Sequence, residues 1–264
     1  MTPQYEFAQP HLDGTSLVIS RDVEETIASI ARFSTKDAET FREWNLRAER
    51  ISDAIFLAER YSEPLPEAER DELLSRSALG RDFLEIIERQ PLDLVKELFE
   101  HEKVQLLMLF KLSLFGTVLY DAVTKRSPMG AAVRGFDLSA GYQVCVGGSW
   151  NLARGLMEEF IRAGGRFVNK AEVERIVVDG GRATGVVLAD GTTVGAGQFV
   201  ASCVDVPPQT WNRLVGREQL PTEFLRKVDG FKHTAWGLFG GVHLALTEAP
   251  RYVGSDFDPN IDAR

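Results

Sequence analysis

Cysteine is scarce in this chain of 264 residues: there are two, Cys145 and Cys203, and no C-x-x-C. A disulfide framework and a cysteine-based zinc site are therefore not expected, and the cytoplasm is the expected compartment. Excess positive charge is missing as well. Lys and Arg number 30 against 39 Asp and Glu, a formal net charge of -9. That sign disfavours nucleic acid and anionic membrane surfaces as partners. The opening residues, MTPQYEFAQPHLDG, have neither the basic n-region nor the apolar h-region of a signal peptide. No long apolar run is present either. The most apolar stretch, Leu106 to Tyr120, is interrupted by Lys111 and falls short of the ~20 residues a bilayer span needs. It reads as a buried helix, with a membrane-surface patch as the alternative, and no integral membrane span is expected.

Phosphate-binding loops are also lacking. The stretch GGSWNLARG begins like a glycine cradle, but Gly147 is followed directly by Gly148, and Trp150 stands two residues further on. The G-x-G-x-x-G spacing of a dinucleotide site is not met. Gly195 and Gly197 are correctly spaced, yet Val200 takes the place of the third glycine, and no G-x-x-x-x-G-K-[ST] occurs. Two readings of Gly147 and Gly148 stay open on these residues: a plain strand-to-helix turn with Ser149 as helix N-cap, or a backbone kept bare so that a cofactor can approach.

What is there is an ordinary globular composition, 44% hydrophobic and 26% charged, with enough chain for one large domain or two modest ones. A turn at Asp13-Gly14 precedes a β-type run, Leu17 to Ile19. Helical spacing follows for about a hundred residues. Val23, Ile27 and Ile30 share one helix face. Ser34 or Thr35 caps a second helix, Pro66 opens a third, and Pro91 opens a long one running through LDLVKELFEHEKVQLLMLFKLSLF. Charges in these helices, His101 and Glu102 among them, are expected mostly on solvated faces. From about Ser139 the pattern changes: YQVCV reads as a strand, SWNLARGLMEEFIRAG as an amphipathic helix, and residues 171–204 as a β-meander with turns at Gly180-Gly181 and Asp190-Gly191. Short helices are expected after Pro207-Pro208 and Pro221, and a last strand in FKHTAWGLFGGVHLAL. The fold class is α/β with α+β character, a helical insert preceding a small sheet-containing unit.

The stretch GGSWNLARGL with its later Gly164-Gly165, then AEVERIVVDGGRATGVVLADG, then FVASCVDVPP, closely resembles the phytoene desaturase-like FAD-dependent oxidoreductases, relatives of the amine oxidases and the Rab escort proteins. DGTSLVISRDVEETIASIARFSTKDA, Asp13 to Ala38, is similar to the N-terminal part of that family. The resemblance implies part of a two-domain, Rossmann-type flavoprotein. Residues 1–138 would be a mainly helical substrate-binding region, 139–206 a segment of the FAD domain, and 207–264 a return to the substrate-domain sheet. It further implies that Val173 pairs with the adenine through its backbone, that Gly147, Gly148, Ser149 and Cys203 lie near the cofactor, and that Tyr142 and Gln143 face the flavin and substrate. His233 and His243 fall on the strand that approaches the flavin in that family; a catalytic or substrate-orienting role for one of them, His233 first, stands against the reading of a satisfied sheet histidine, and Tyr142 and Gln143 are catalytic candidates with it.

Phe110, Phe115, Leu109 and Tyr120 are candidates to line a hydrophobic substrate cavity, with plain core packing as the alternative. The family begins with the G-x-G-x-x-G unit and ends with a glycine-rich FAD segment, and neither is found in this sequence. The expectation is one subunit of a split, heteromeric enzyme that transfers hydride from an apolar small molecule to FAD. Partner subunits would supply the phosphate-binding parts. A non-catalytic escort or scaffold protein of the same superfamily is the alternative.

Overall fold

The computed structural model describes residues 3–113, 125–126, 131–139, 143–204, 209–230 and 244–262. The chain divides into two units, Met1–Asn151 with His243–Arg264, and Leu152–Val242. Both sheets among the described residues are small and antiparallel.

The first unit opens on a hairpin, β1 (Tyr5–Pro10) and β2 (Ser16–Ser20). Its turn is closed by the Asp13 carboxylate, which accepts from the Thr15 amide at 3.1 Å, with Gly14 at φ +82°. A lone hairpin is marginal in water, and every residue of β2 is buried. Helix α1 (Val23–Ala31) resolves both problems. Ile27 and Ile30 pack on the strand, while the Ser29 and Thr26 hydroxyls accept from the Val18 and Ser20 amides at 3.0 and 2.9 Å. Hydroxyls from a helix thus complete the edge that a third strand would otherwise take.

Ser34 caps α2 (Thr35–Ile51), its hydroxyl accepting from the Asp37 amide. The helix runs on through a π-helical turn, Ser52–Phe56, and ends at Leu57–Glu59. Helices α3 (Glu67–Ser75), α4 (Ala78–Ile87), α5 (Pro91–Leu98), α6 (Glu102–Ser113) and α7 (Ala131–Arg134) follow. One aromatic-rich core binds them: Trp44 tilts against Phe136, Phe136 stacks on Phe99, and Phe56 meets Phe83 edge to face.

The single long helix expected after Pro91 is broken into α5 and α6. Phe99 leaves helical geometry to enter the core, and the bare amides of Glu100 and His101 donate to the two carboxylate oxygens of Asp37 at 2.9 and 3.0 Å. Asp37 is fully buried, so it belongs to no solvated face. His101 is half-buried at the start of α6, stacked edge-on to Phe33. The other charged side chain that departs from the expectation is Lys111, enclosed in the core.

The second unit holds most of helix α8 (Trp150–Arg162) and a meander, β3 (Val173–Asp179), β4 (Arg182–Leu188) and β5 (Thr193–Gly195), in that spatial order. The glycine turns stand where the sequence put them, Gly180, Gly181 and Gly191 all at positive φ. A π-helical turn, Gln209–Gly216, lays Thr210 and Leu214 against the sheet, and Trp211 meets Phe224 of α9 (Thr222–Asp229) edge to face at 5.0 Å.

The strand expected at YQVCV is not formed in its described part: Gln143 to Val146 are not in a sheet. Most of the last expected strand lies outside the described residues, and its described end, Leu244 to Leu246, is not in a sheet.

Asp37→Ala strips two buried amides of their acceptor at once. A stability loss of about 3 kcal/mol is expected, read from urea unfolding of the two proteins. A change within error would show that the α5–α6 break does not depend on this carboxylate.

Candidate functional site

The turn that attracted notice in the sequence is demanding of glycine. Gly147 and Gly148 have φ of +78° and +98°, and a Cβ on Gly147 would lie 2.4 Å from the Asn151 amide nitrogen. Asn151 closes the turn, its side chain donating to the Val146 carbonyl at 2.8 Å and its backbone to Gly148 at 3.1 Å. Nothing lies within 4 Å of a Cβ built on Gly148, so this backbone is open to a visitor. Gln143 and Ser149 are exposed beside it. Tyr142, His233 and His243 lie outside the described residues, as do Phe115 and Tyr120.

Helix α8 follows directly. It places Leu152, Leu156 and Phe160 at four-residue spacing, with Trp150 and Ile161 flanking, and all five are half exposed or more. None of its residues is buried. The helix is amphipathic, and its apolar stripe is exposed.

Val173 begins β3, the edge strand of the meander. The Glu172 carbonyl accepts from the Ala189 amide at 2.9 Å. The pleat therefore turns the amide and carbonyl of Val173 the other way, to the free edge, where they can pair with a planar ligand.

Cys203 is a free, exposed thiol on the run 200–204. Val200, Ser202 and Val204 alternate inward from that run to a cavity of about 500 Å³, shared with Ile176, Thr210 and Trp211. The Ser202 and Thr210 hydroxyls meet at 2.8 Å on its wall. The sequence reading missed this cavity, although the period-two spacing of Val200, Ser202 and Val204 was a signal for it. In the first unit, Phe110 is half exposed and meets Phe7 edge to face, bordering an apolar cavity of about 290 Å³ with Leu106 and Pro10. Leu109 packs against the core.

Near this face sits the buried Lys111. Its ammonium pairs with Glu6 at 3.7 Å, too long for a hydrogen bond. Burial pushes it down from its ordinary 10.5 to about 8, with Glu6 and then Asp137 opposing the shift. Among the described residues, no group of His, Cys, Asp and Glu is arranged to hold a metal ion, and no helix is long and apolar enough to cross a membrane.

No family model matches the chain. It is 27% identical over 258 residues to a subunit of the limonene dehydrogenase of Castellaniella defragrans, covering 94% of this chain and 46% of that protein. It is 34% identical over 127 residues to the lycopene-forming phytoene desaturase of a Paracoccus species, covering 48% of this chain and 25% of that protein. To the hydroxyneurosporene desaturase of Cereibacter sphaeroides it is 30% identical over 198 residues, covering 72% of this chain and 37% of that protein. These relatives bear out the resemblance to the phytoene desaturase-like proteins. The chain spans less than half the length of each.

Lys111 carries a pH signature. Its folded pKa is depressed to about 8, so the unfolded chain holds more protons between there and 10.5, and stability rises with pH across that window. The penalty is fully present below pH 8. Against Lys111→Met, the wild type should gain up to about 3 kcal/mol between those limits, measured by urea unfolding at stepped pH. Parallel curves for the two proteins would remove Lys111 as the cause.

Proposed function

We propose that this relative of the phytoene desaturase-like oxidoreductases forms the substrate-side and adenine-side part of an FAD-dependent enzyme that dehydrogenates an apolar small molecule. The observation that carries the reading is the match along 94% of the chain to a protein named as a dehydrogenase subunit. Two desaturases matching the same chain support it.

The chain's own residues fit the cofactor. The Val173 amide and carbonyl, free at the sheet edge, form the donor–acceptor pair that an adenine edge needs. Gly147 and Gly148 offer backbone that a ring can approach without meeting a side chain. When bound, FAD supplies the hydride acceptor. The protein's part is to seat an apolar substrate, exclude water and orient the carbon that loses hydride, roles in which Gln143 and Tyr142 are placed by the resemblance. Cys203 is assigned no redox role.

Pyrophosphate contacts require sequence other than these residues, since no G-x-G-x-x-G is among them. Another chain is the reading favoured here, because one relative carries the name of a subunit. The bare stripe of α8 is then the face that packs against the phosphate-binding unit, burying Leu152, Leu156 and Phe160 on assembly.

Co-expressed with a chain supplying the G-x-G-x-x-G unit of the same enzyme, the protein should purify as a yellow complex with flavin absorbance. A colourless complex with an intact phosphate-binding partner would sink the cofactor reading. It would leave the escort or scaffold alternative standing.

Val173→Pro removes the amide at the first residue of the strand, where proline is tolerated, and should weaken flavin retention about tenfold with the circular dichroism unchanged. Leu156→Glu, on a residue exposed here, should leave the stability of the separate chain within about 0.5 kcal/mol. It should abolish complex formation on size exclusion. Normal assembly of Leu156→Glu would remove α8 from the interface.

A further inference from the structure

A cavity of about 200 Å³ lies in the first unit beside the π-helical turn Ser52–Phe56. It has no part in the flavin reading. Seven buried side-chain polar atoms have no hydrogen-bond partner among the described residues, and three of them belong to residues lining this one cavity: Ser52 Oγ, Arg134 Nε and Asp137 Oδ2. Such atoms are costly when left unpaired, and their clustering marks a place for a polar guest. π-Helical turns fall often at functional sites.

The charges narrow the guest. Arg60 and Arg134 both line the cavity, and neither forms an ion pair among the described residues. Burial, and then the like charge of Arg60, holds the Arg134 guanidinium below its ordinary value, with Asp137 and then Glu59 opposing the shift. The Phe56 ring takes one face of that guanidinium, its centroid 4.4 Å from the central carbon. Two guanidinium groups near one cavity, without an ion pair or hydrogen bond to a carboxylate among the described residues, favour an anion, although Asp137 and Glu59 act on Arg134 at longer range.

Asp137 adds a second condition. It is 4% exposed, and its Oδ1 is already used by the amide and hydroxyl of Ser139 at 2.9 and 2.6 Å. Its Oδ2 has no hydrogen bond among the described residues, although the Lys111 and Arg134 charges act on the carboxylate, and it is an acceptor that an O–H group would satisfy better than a bare anion. Asp53, the other acid in the lining, is exposed, and water screens its charge.

We propose that this cavity binds a small oxyanion carrying its own O–H group, a hydrogenphosphate or a short hydroxycarboxylate. The charged oxygens accept from Arg60 and Arg134, the hydroxyl donates to Asp137 Oδ2, and Ser52 Oγ takes either role. The site selects for protonation. Sulfate has the same shape as phosphate but carries no proton near neutral pH, so it brings a like charge against Asp137.

Titration calorimetry of the full chain in chloride buffer, with inorganic phosphate, glycolate, acetate and sulfate as probes, tests this directly. Phosphate or glycolate should bind saturably, and the comparison between them identifies the source. Sulfate and acetate should bind about tenfold weaker or less tightly still. Asp137→Asn should close the gap between phosphate and sulfate, since an amide can donate to the unprotonated ion. Arg60→Gln, on an exposed side chain, should weaken every ligand and keeps the test decisive if the Asp137 variant does not fold. Equal binding of phosphate and sulfate by the wild type, no saturable binding at all, or unchanged phosphate affinity in Arg60→Gln would each overturn the proposal. None of these readouts involves flavin, so failure here is distinct from failure of the enzyme reading.

Discussion

Asp37 sits inside the helical unit with no contact to solvent and uses both carboxylate oxygens on the amides of Glu100 and His101. The rest of that unit rests on the same constraint: a buried amide must have an acceptor, and where the backbone cannot supply one a side chain does. Ser29 and Thr26 meet it for the open edge of β2. Asn45 meets it for Leu138, accepting that amide at 3.1 Å just after Asp137. Each of these polar residues lies among apolar neighbours. The core of Phe41, Phe83, Phe99 and Phe136 can close around interrupted elements because those interruptions are satisfied from within.

The second unit shows the opposite condition. Its three-stranded meander buries few side chains, Ile176 and Val187 among them, and α8 buries none. Apolar groups left bare at helical spacing are a stored driving force, worth roughly 25 cal/mol for each Å² later covered. The functional reading follows from that physics as well as from kinship. The strand edge at Val173, the glycines at 147 and 148 and the exposed stripe of α8 are the features on which the proposed assembly rests.

Much was legible from one-dimensional pattern. Ser34 declared its cap, Pro66 and Pro91 their helix starts, and Gly180-Gly181 and Asp190-Gly191 the meander turns, because each depends on residues within a few positions. The break between α5 and α6 was not legible. Its cause, Asp37, is more than sixty positions away, and the run after Pro91 keeps helical spacing straight through it. The burial of Lys111 was hidden for the same reason: a lysine in an apolar run looks like an interruption until Glu6 is brought beside it. The strand expected at Gln143 to Val146 did not form, since alternation in a single segment does not by itself fix a sheet.

The sequence by itself determined the kinship, the helix caps and starts, and the meander turns, since motif spacing, caps and turns are short-range properties. Only the tertiary structure decided which polar groups are enclosed and what they face. It placed the Val173 amide and carbonyl at a free edge and left α8 uncovered. It also drew Ser52, Arg60, Arg134 and Asp137 around one cavity. Those outcomes depend on contacts between distant segments, where burial sets the energy of a charge or an amide and residue order carries no measure of burial.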